Sequence, residues 1–306
     1  MNPLTHILTA VDFSEPGRAA FDHALALSRR HGAELTVVHA VPGDRAFEWD
    51  ARERLDMIGR LRQAAEESDV RLKVSVQHGD PAVVILLHAR ARRPDLIVLG
   101  THHRTGLGRL RFGSVAKRVT LRATQPVLIV PSSHGRRTAE SLLSFDSILV
   151  AVDFSAGSLS AVERALSLAN ANSRVTLVHV VPSVPVASVS RYSYDLSEPE
   201  YQGLLARDAR RRLQDIISTE ASKGRTIHAR VMAGDPSREI TRVATDVDAD
   251  LILVGVTSRG AIKRLMLGST AARVIQTAAR PVLAIPELVD HTTVPLAEAG
   301  QPDIAA

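Results

Sequence analysis

Hydrophobic and polar residues follow two different periods along the chain. Short apolar runs, for example residues 95–99 and 250–254, lie between longer stretches in which apolar residues recur at helical spacing. Uninterrupted apolar runs of this length predict strands buried in a parallel sheet, and the helical spacing predicts amphipathic helices. Strands and helices alternate through each half, which predicts an α/β fold with a right-handed, doubly wound sheet. In such a sheet ligands bind at the carboxyl ends of the strands.

Capping residues mark where the predicted helices begin and end. Ser14 follows the first strand, Gly32 ends the next helix, and Asp80 followed by Pro81 opens the third helix. These residue types are typical of helix caps and first turns. Residues 70–76 alternate between apolar and polar positions, so we expect that strand nearer an edge of the sheet. The predicted strands of the first half are residues 6–11, 35–39, 70–76, 95–99 and 127–130, and the second half follows the same order.

The second half of the chain repeats the first. Residues 10–14 recur residue for residue at 151–155, and the Gly-Asp-Pro of residues 79–81 recurs at 234–236. The distance between matching residues grows from 141 to 155, so the second half carries an insertion, which either folds over a ligand site or forms a surface loop. Matches in the same order over the whole length indicate tandem duplication of one domain. The predicted units are domain 1 at residues 1–137, domain 2 at residues 138–290, and a mobile tail at residues 291–306.

Composition narrows the function classes. Of 306 residues 45% are hydrophobic, 23% charged and 3% aromatic, with a formal net charge of +5. So few aromatic residues disfavour nucleic-acid binding by base stacking, and we expect the arginine-rich helix faces to be solvated. Without cysteine the chain has no disulfide, no thiolate nucleophile and no zinc site built on cysteine. No apolar run reaches transmembrane length and the N-terminus does not resemble a signal peptide, so we expect a cytoplasmic protein that binds no membrane.

Two glycine-rich, basic segments carry the candidate chemistry. The first runs from Gly100 to Ser114 and the second from Gly255 to Ser269, each between a predicted strand and a predicted helix. Free backbone N–H groups, the helix dipole and arginine charge converge at such a position. Each segment is therefore a candidate anion site.

Other kinds of site find less support in these segments. Residues 108–114 have the glycine spacing of a P-loop, but Ser114 stands where that motif needs lysine, which argues against a P-loop ATPase. The neighbouring His102 and His103 lack a spaced carboxylate or cysteine partner, so we expect solvated loop histidines rather than a metal site. Asp12 could coordinate Mg²⁺, fix the strand-to-helix turn or bind a ribose hydroxyl. We expect His39 and the equivalent His179 to be hydrogen-bonded structural residues. No nucleophile–base signature supports hydrolase chemistry.

The residues described so far resemble the universal stress protein family in a tandem form. The resemblance rests on Ala-Val-Asp-Phe-Ser after the first strand, on Gly-Asp-Pro before the third helix, and on the long glycine loop that ends in Gly-Ser. It implies two flavodoxin-like, Rossmann-like domains, each a five-stranded parallel sheet of order 3-2-1-4-5. It also implies association through the last strands, residues 127–130 and 282–285, and a role in stress response. A homodimer of the whole chain would then hold four domains.

The same resemblance implies an ATP site, with one departure in each half. The ATP-binding class has glycine, two residues, glycine, nine residues and Gly-Ser or Gly-Thr. The first half has Gly100 and Gly113-Ser114 at this spacing, but His103 stands in place of the middle glycine. In the second half that position is Ser258. A β-carbon at His103 could enter the phosphate space, whereas Ser258 is smaller and offers a hydroxyl donor.

The remaining positions of the implied site match the family pattern. By resemblance Asp12 meets the adenosine, the Val41 backbone contacts the adenine edge, Ser114 bonds phosphate oxygens, and Arg104 adds charge. The predicted ligand-binding residues are Asp12, Val41, Gly100, His103, Arg104, Gly113, Ser114 and Val115 in the first half, and Asp153, Val181, Gly255, Ser258, Arg259, Gly268, Ser269 and Thr270 in the second.

Two functions follow from these expectations. The first is a regulatory stress-response protein that binds ATP, with or without Mg²⁺, in at least one half, and that acts as a switch or scaffold with at most slow hydrolysis. The second is a nucleotide-free interaction protein whose cleft has collapsed around His103 and Ser258. Both leave the protein partner unidentified, and neither involves specific binding of nucleic acid.

Overall fold

Strands and helices alternate as the sequence predicts. The computed structural model describes residues 4–41, 43, 51–101, 113–132, 145–183, 197–221, 226–256 and 268–287. The strands in these residues are β1 (His6–Ala10), β2 (Glu34–Val41), β3 (Leu72–His78), β4 (Leu96–Thr101), β5 (Val127–Pro131), β6 (Ser147–Ala151), β7 (Arg174–Val181), β8 (Ile227–Ala233), β9 (Leu251–Val256) and β10 (Val282–Pro286). The helices are α1 (Glu15–His31), α2 (Ala51–Glu67), α3 (Pro81–Arg92), α4 (Ser114–Arg122), α5 (Ala156–Leu168), α6 (Glu198–Ala221), α7 (Pro236–Asp246) and α8 (Ser269–Thr277).

The strands form one ten-stranded sheet. Its order is β3-β2-β1-β4-β5-β10-β9-β6-β7-β8, so each half has the predicted order 3-2-1-4-5 in its own numbering. Strands within each half are parallel. The halves join through β5 and β10, which pair antiparallel with Val282 opposite Ile129. This confirms the expected pairing through the last strands. The predicted boundary at residues 137 and 138 and the tail at 291–306 lie outside the described residues.

Helices cover both faces of this sheet and enclose two apolar layers. On one face α1, α2, α5 and α6 pack against the strands, around fully buried residues such as Ile7 and Ile148. On the other face α3, α4, α7 and α8 pack around residues such as Leu8 and Ile97. Both layers contain residues from the two halves, so the core is continuous across the β5–β10 junction. Strand β3 lies at the edge of the sheet, as predicted for residues 70–76, and its side chains are partly buried or exposed.

The helix caps explain why the helices start where they do. The Ser14 hydroxyl accepts the N–H of Gly17 at 3.3 Å, and Asp80 accepts the N–H of Val83 at 3.0 Å. Gly32 ends α1 in the left-handed conformation with φ of 64°. Each side-chain cap satisfies a backbone donor that the helix leaves unpaired, which stabilises a helix by about 1 kcal/mol. The predicted caps of α1 and α3 are confirmed.

Candidate functional site

The predicted site residues that the structure describes lie, in each half, at the carboxyl edge of the parallel strands. Asp12 follows β1, Val41 ends β2, Gly100 lies near the end of β4, and Gly113 precedes α4. Parallel strands bring their carboxyl ends to one edge, so these residues lie along one edge of the sheet, which we take as the candidate cleft. Because β5 and β10 run antiparallel, the clefts of the two halves open on opposite edges of the sheet. The chain therefore has two separate candidate sites.

The aspartate after the first strand of each half fixes the turn into the next helix. Oδ1 of Asp12 accepts the Ser14 N–H at 3.1 Å and the Ser14 hydroxyl at 2.5 Å. Asp153 makes the same two bonds with Ser155, at 3.0 and 2.5 Å. Burial raises the pKa of the Asp153 carboxyl, but the hydrogen bonds from Ser155 and Ser158 outweigh burial and hold the pKa below its usual value. Asp12 thus fixes the turn, which is one of the roles considered for it, and Asp153 does the same; the bonds to Ser14 and Ser155 use Oδ1 of each carboxylate.

A strained phenylalanine follows each of these aspartates and packs on a histidine. Phe13 has φ of 59° and Phe154 has φ of 62°, a left-handed conformation that is rare for bulky residues. The Phe13 ring lies 4.6 Å from the His39 ring, and the Phe154 ring lies 4.7 Å from the His179 ring. Nδ1 of His39 is 2.9 Å from the Val11 carbonyl, and Nδ1 of His179 makes the equivalent contact at 2.7 Å. Both histidines are hydrogen-bonded structural residues, as predicted.

The valine that ends the second strand of each half is already bonded through its carbonyl. The Val41 carbonyl accepts the Gly79 N–H at 2.9 Å, and the Val181 carbonyl accepts the Gly234 N–H at 3.1 Å. Gly79 needs to be glycine because its φ is 139°. A carbonyl has two lone pairs, so the one left on each valine is available to a ligand. Contact of these backbones with adenine stays a prediction.

The first glycine of each loop has a packing role. A β-carbon on Gly100 would lie 2.1 Å from the Pro16 carbonyl oxygen, and one on Gly255 would lie 2.6 Å from Ser158 N. Real β-carbons do not approach other atoms so closely, so only glycine allows the start of α1 to touch β4 and the start of α5 to touch β9. The sequence analysis predicts that Gly100 and Gly255 bind the ligand. The structure shows that close packing of helix on strand requires glycine at both positions even without a ligand.

The last glycine of each loop starts a helix that has no side-chain cap. Gly113 is the N-cap of α4 and Gly268 is the N-cap of α8, and in the described part of the chain neither helix start has a side-chain cap bond. Their φ angles are −53° and −52°, and a β-carbon on either would meet no atom of the described residues within 4 Å. The helix starts with Ser114 and Val115 in one half and with Ser269 and Thr270 in the other. Their first backbone N–H groups are therefore available to an anion.

An ion pair that the sequence analysis missed ties this helix to its neighbour. Oδ2 of Asp80 accepts a hydrogen bond from the Arg118 guanidinium at 2.6 Å. In the second half Oδ2 of Asp235 accepts one from Arg273 at 3.2 Å. The Arg118 hydrogen bond is the main reason that the pKa of Asp80 is lowered, and for Asp235 the main reason is the Ser237 hydroxyl. Both pairs span 38 residues. In the sequence, only the recurrence of an aspartate and an arginine at this spacing in both halves could have indicated the ion pair.

Comparison with known proteins identifies the family. The profile of the universal stress protein family matches residues 3–131 and 144–286. The chain belongs to the universal stress protein family. Membership of this family supports a role in stress response.

Relatives of this universal stress protein match it over one domain or over both. A universal stress protein of Methanocaldococcus jannaschii is 31% identical over 136 residues, which cover 40% of this chain and 80% of the relative. One of Thermus aquaticus is 37% identical over 132 residues, which cover 40% of this chain and 96% of the relative. The crystal structure of a universal stress protein from Archaeoglobus fulgidus aligns with a TM-score of 0.71 at 19% identity, over 92% of this chain and 98% of the other. That alignment supports the tandem fold.

Part of the predicted site of this universal stress protein lies outside the described residues. His103 and Arg104 in the first half and Ser258 and Arg259 in the second belong to that part, as does His102. In the described residues no group of three or more His, Cys, Asp or Glu side chains could hold a metal ion. Of the helices in the described part of the chain, none is both long and apolar enough to cross a membrane.

Proposed function

We propose that this universal stress protein binds an adenine nucleotide, ATP with or without Mg²⁺, in at least one half, and uses it as a regulatory switch. The observation that carries the proposal is the uncapped start of α4 and of α8, where Gly113 and Gly268 leave backbone donors at the carboxyl edge of the sheet. In α1, α3, α5 and α7 a serine or aspartate side chain caps the corresponding position. An anion is the natural partner for the two helices that lack such a cap.

The other residues of the cleft would hold the rest of the nucleotide. The phosphates would lie at the N–H groups of the first turn of α4, beside the Ser114 hydroxyl. Asp12 would bind the ribose through the carboxylate oxygen that the turn does not use. The adenine edge would meet the Val41 backbone, whose carbonyl keeps one lone pair. Asp153, Val181 and Ser269 would do the same in the second half.

The contacts of the nearby histidines favour a switch over a fast catalyst. Nδ1 of His39 is bonded to the Val11 carbonyl, and its ring packs on Phe13. His179 is held in the same way by Val152 and Phe154. These contacts give both imidazoles a structural role. Nε2 keeps its lone pair, but no contact in the described residues places it beside a site for an attacking water, so we assign no general base. Hydrolysis would be slow, and bound nucleotide would act by changing the affinity for a partner.

A nucleotide-free interaction protein is the second candidate function. It is favoured by the replacement of the middle glycine of the ATP motif by His103 in one half and by Ser258 in the other. A β-carbon at that position takes space that a phosphate would need. In this case the two clefts would be remnants of the duplication, and the stress-response role would rest on protein surfaces alone.

The test combines analysis of co-purified ligand with titration. Freshly purified protein is denatured and the released small molecules are separated by chromatography, and empty protein is titrated with ATP and Mg²⁺ by calorimetry. Gly113→Asp places a carboxylate where the phosphates would bind, and Gly113→Asn gives a neutral cap of nearly the same size as the control. We expect Gly113→Asp to abolish nucleotide binding in the first half. The variant should keep or raise the stability of the protein, because aspartate is a good N-cap. Gly268→Asp and Gly268→Asn test the other half. Empty protein that ignores millimolar ATP would refute nucleotide binding and leave the second candidate.

A further inference from the structure

The two halves differ most on the outer face of the helix that follows Gly-Asp-Pro. In the second half α7 is amphipathic, with residues such as Ile240 and Val243 buried. In the first half α3 is apolar on both faces: Val84 and Ile85 are buried against the sheet, whereas Val83 is 42% exposed and Leu87 is 59% exposed. A helix that is apolar all round is normally covered on both sides. On α3 no described residue covers the outer side.

The duplication provides an internal control for this apolar face. The positions of α7 that correspond to Val83 and Leu87 are Arg238 and Arg242, and Arg242 bonds Glu239 at 2.5 Å. Both helices have an aspartate cap and pack on the same kind of sheet face. The fold therefore accepts polar residues at these positions. Exposed valine and leucine in the first half need a reason other than folding.

The two halves also differ in charge at the C-terminal end of these helices. Arg90, Arg93 and Arg122 lie at one end of the apolar face in the first half, and all three are exposed. Their counterparts are Thr245, Asp248 and Thr277, and Asp248 is paired with Arg280 at 2.5 Å. In the described part of the first half these three arginines form no ion pair. The three arginines are called the arginine rim below. They give the first half three positive charges where the second half has one negative charge, on Asp248, that Arg280 neutralises.

The apolar face of α3 and the arginine rim together line a groove between α3 and α4. Its walls include Val83, Leu86 and Leu87, the arginines stand at one end, and its volume is about 870 Å³. From Val83 to Arg93 the groove follows about 15 Å of helix, which matches about three turns of a second helix. Arg93 and Arg122 precede β4 and β5, so this end of the groove lies at the opposite edge of the sheet from the candidate nucleotide cleft.

We propose that this groove binds a partner protein through an amphipathic helix whose apolar stripe is flanked by acidic residues. Val83 and Leu87 would receive the stripe, and the three arginines would pair with the acidic side chains. A second copy of the chain fits less well. A two-fold axis parallel to the groove would bring the arginines of the two copies together, and an axis perpendicular to it would set them against the apolar end, where Asp80 is already paired with Arg118. The proposal is independent of nucleotide binding, since the groove shares no residue with the cleft.

The test measures peptide binding to the full chain by fluorescence anisotropy. The probe is a labelled synthetic helix of about four turns with leucines at i, i+4 and i+7 and glutamates beside them, and a second probe replaces every glutamate by lysine. We expect the acidic helix to bind at least about tenfold more tightly than the basic one, with an affinity that falls as salt rises. The measurement is made with and without ATP, so that its outcome does not depend on the cleft.

Variants locate the binding surface. V83R/L87R installs the residues of the second half, which accepts them without loss of fold, and we expect at least about a tenfold loss of affinity. Leu55→Arg on α2, where Leu55 is 69% exposed, is the matched control and should bind like the parent. R90E/R122E should reverse the preference in favour of the lysine probe.

Several outcomes would overturn the proposal. They are equal affinity for both probes, no binding of either probe, and undiminished binding by V83R/L87R. Binding to vesicles that contain phosphatidylserine, with no binding of the peptides, would assign the surface to a membrane instead. Dissociation of a chain dimer by V83R/L87R in analytical ultracentrifugation would assign it to self-association.

Discussion

A β-carbon on Gly100 would lie 2.1 Å from the carbonyl oxygen of Pro16, so the end of β4 and the start of α1 are in direct backbone contact. The same relation holds between Gly255 and α5. This contact sets the distance between the two elements that bear the Asp12 turn and the glycine loop. The first glycine of the nucleotide motif therefore shapes the cleft whether or not it touches a ligand.

Gly100→Ala should destabilise the first half strongly. The methyl group meets backbone rather than a flexible side chain, so α1 has to move away from β4, at a cost of about 3 kcal/mol or more. Gly113→Ala is the matched control, because its methyl group meets no atom of the described residues and its φ is −53°. It should change the free energy of unfolding by less than about 1 kcal/mol. Urea denaturation followed by circular dichroism measures both, and equal midpoints would contradict the Pro16 contact.

Restoring the middle glycine of the motif should increase ATP affinity. By the family pattern these positions would face the phosphates, so His103→Gly and Ser258→Gly would each remove a β-carbon from the phosphate space. The gain should be larger for His103→Gly because histidine is the larger residue. Calorimetric titration of the two variants and the parent gives the comparison. If both variants bind ATP no better than the parent, these positions do not control access to the phosphate site.

The ion pair between Asp80 and Arg118 should make stability fall at acidic pH. The Arg118 hydrogen bond holds the pKa of Asp80 below its usual value, so the stabilisation is present at neutral pH and is lost as the pH falls below about 4, through the lowered pKa. Asp80→Asn keeps a good cap but removes the charge. The difference in unfolding midpoint between parent and variant should therefore shrink as the pH falls from about 6 to about 3.

A double-mutant cycle separates the ion pair from the cap. Asp80→Asn, Arg118→Gln and the double variant should give a coupling energy of about 0.2–1 kcal/mol at neutral pH, because both side chains are partly exposed and water screens their charges. A coupling energy of zero, or a difference that persists unchanged at about pH 3, would show that only the cap of α3 matters.

Arg164→Met should raise stability slightly. Nε of Arg164 is buried without a hydrogen-bond partner in the described residues, and Leu27, Leu128 and Leu168 line the small cavity beside it. Burial lowers the pKa of Arg164, and the charge of Asp95 only partly opposes this. Methionine keeps the apolar stem and removes the unpaired donor, which should add about 1 kcal/mol to the free energy of unfolding. Thermal unfolding of the parent, Arg164→Met and Arg164→Lys measures this change in stability, with the lysine variant as the control that keeps a positive charge. A fall in the melting temperature of the methionine variant would mean that the attraction to Asp95 outweighs burial.

Much of the fold could be predicted because its signals are local or duplicated. Apolar runs such as residues 95–99 become buried strands, and Ser14 and Asp80 cap helices through bonds that span three residues. The repeat predicted two units of the same fold, and the family pattern predicted their junction at β5 and β10. The candidate site was predicted less completely. Its residues come from separate strands, and most of each glycine loop, residues 102–112 and 257–267, lies outside the described residues.

What the sequence by itself determined is the alternation of strands and helices, the duplication, the helix caps and the positions of the candidate ligand residues. These follow from periodicity and from contacts a few residues apart. Only the tertiary structure decided that Gly100 touches Pro16, that Asp80 pairs with Arg118, and that the exposed face of α3 carries Val83 and Leu87 beside three arginines. The physical reason is that these relations join residues far apart in the chain, and only the packing of helices on the sheet fixes which side chains meet and which stay uncovered.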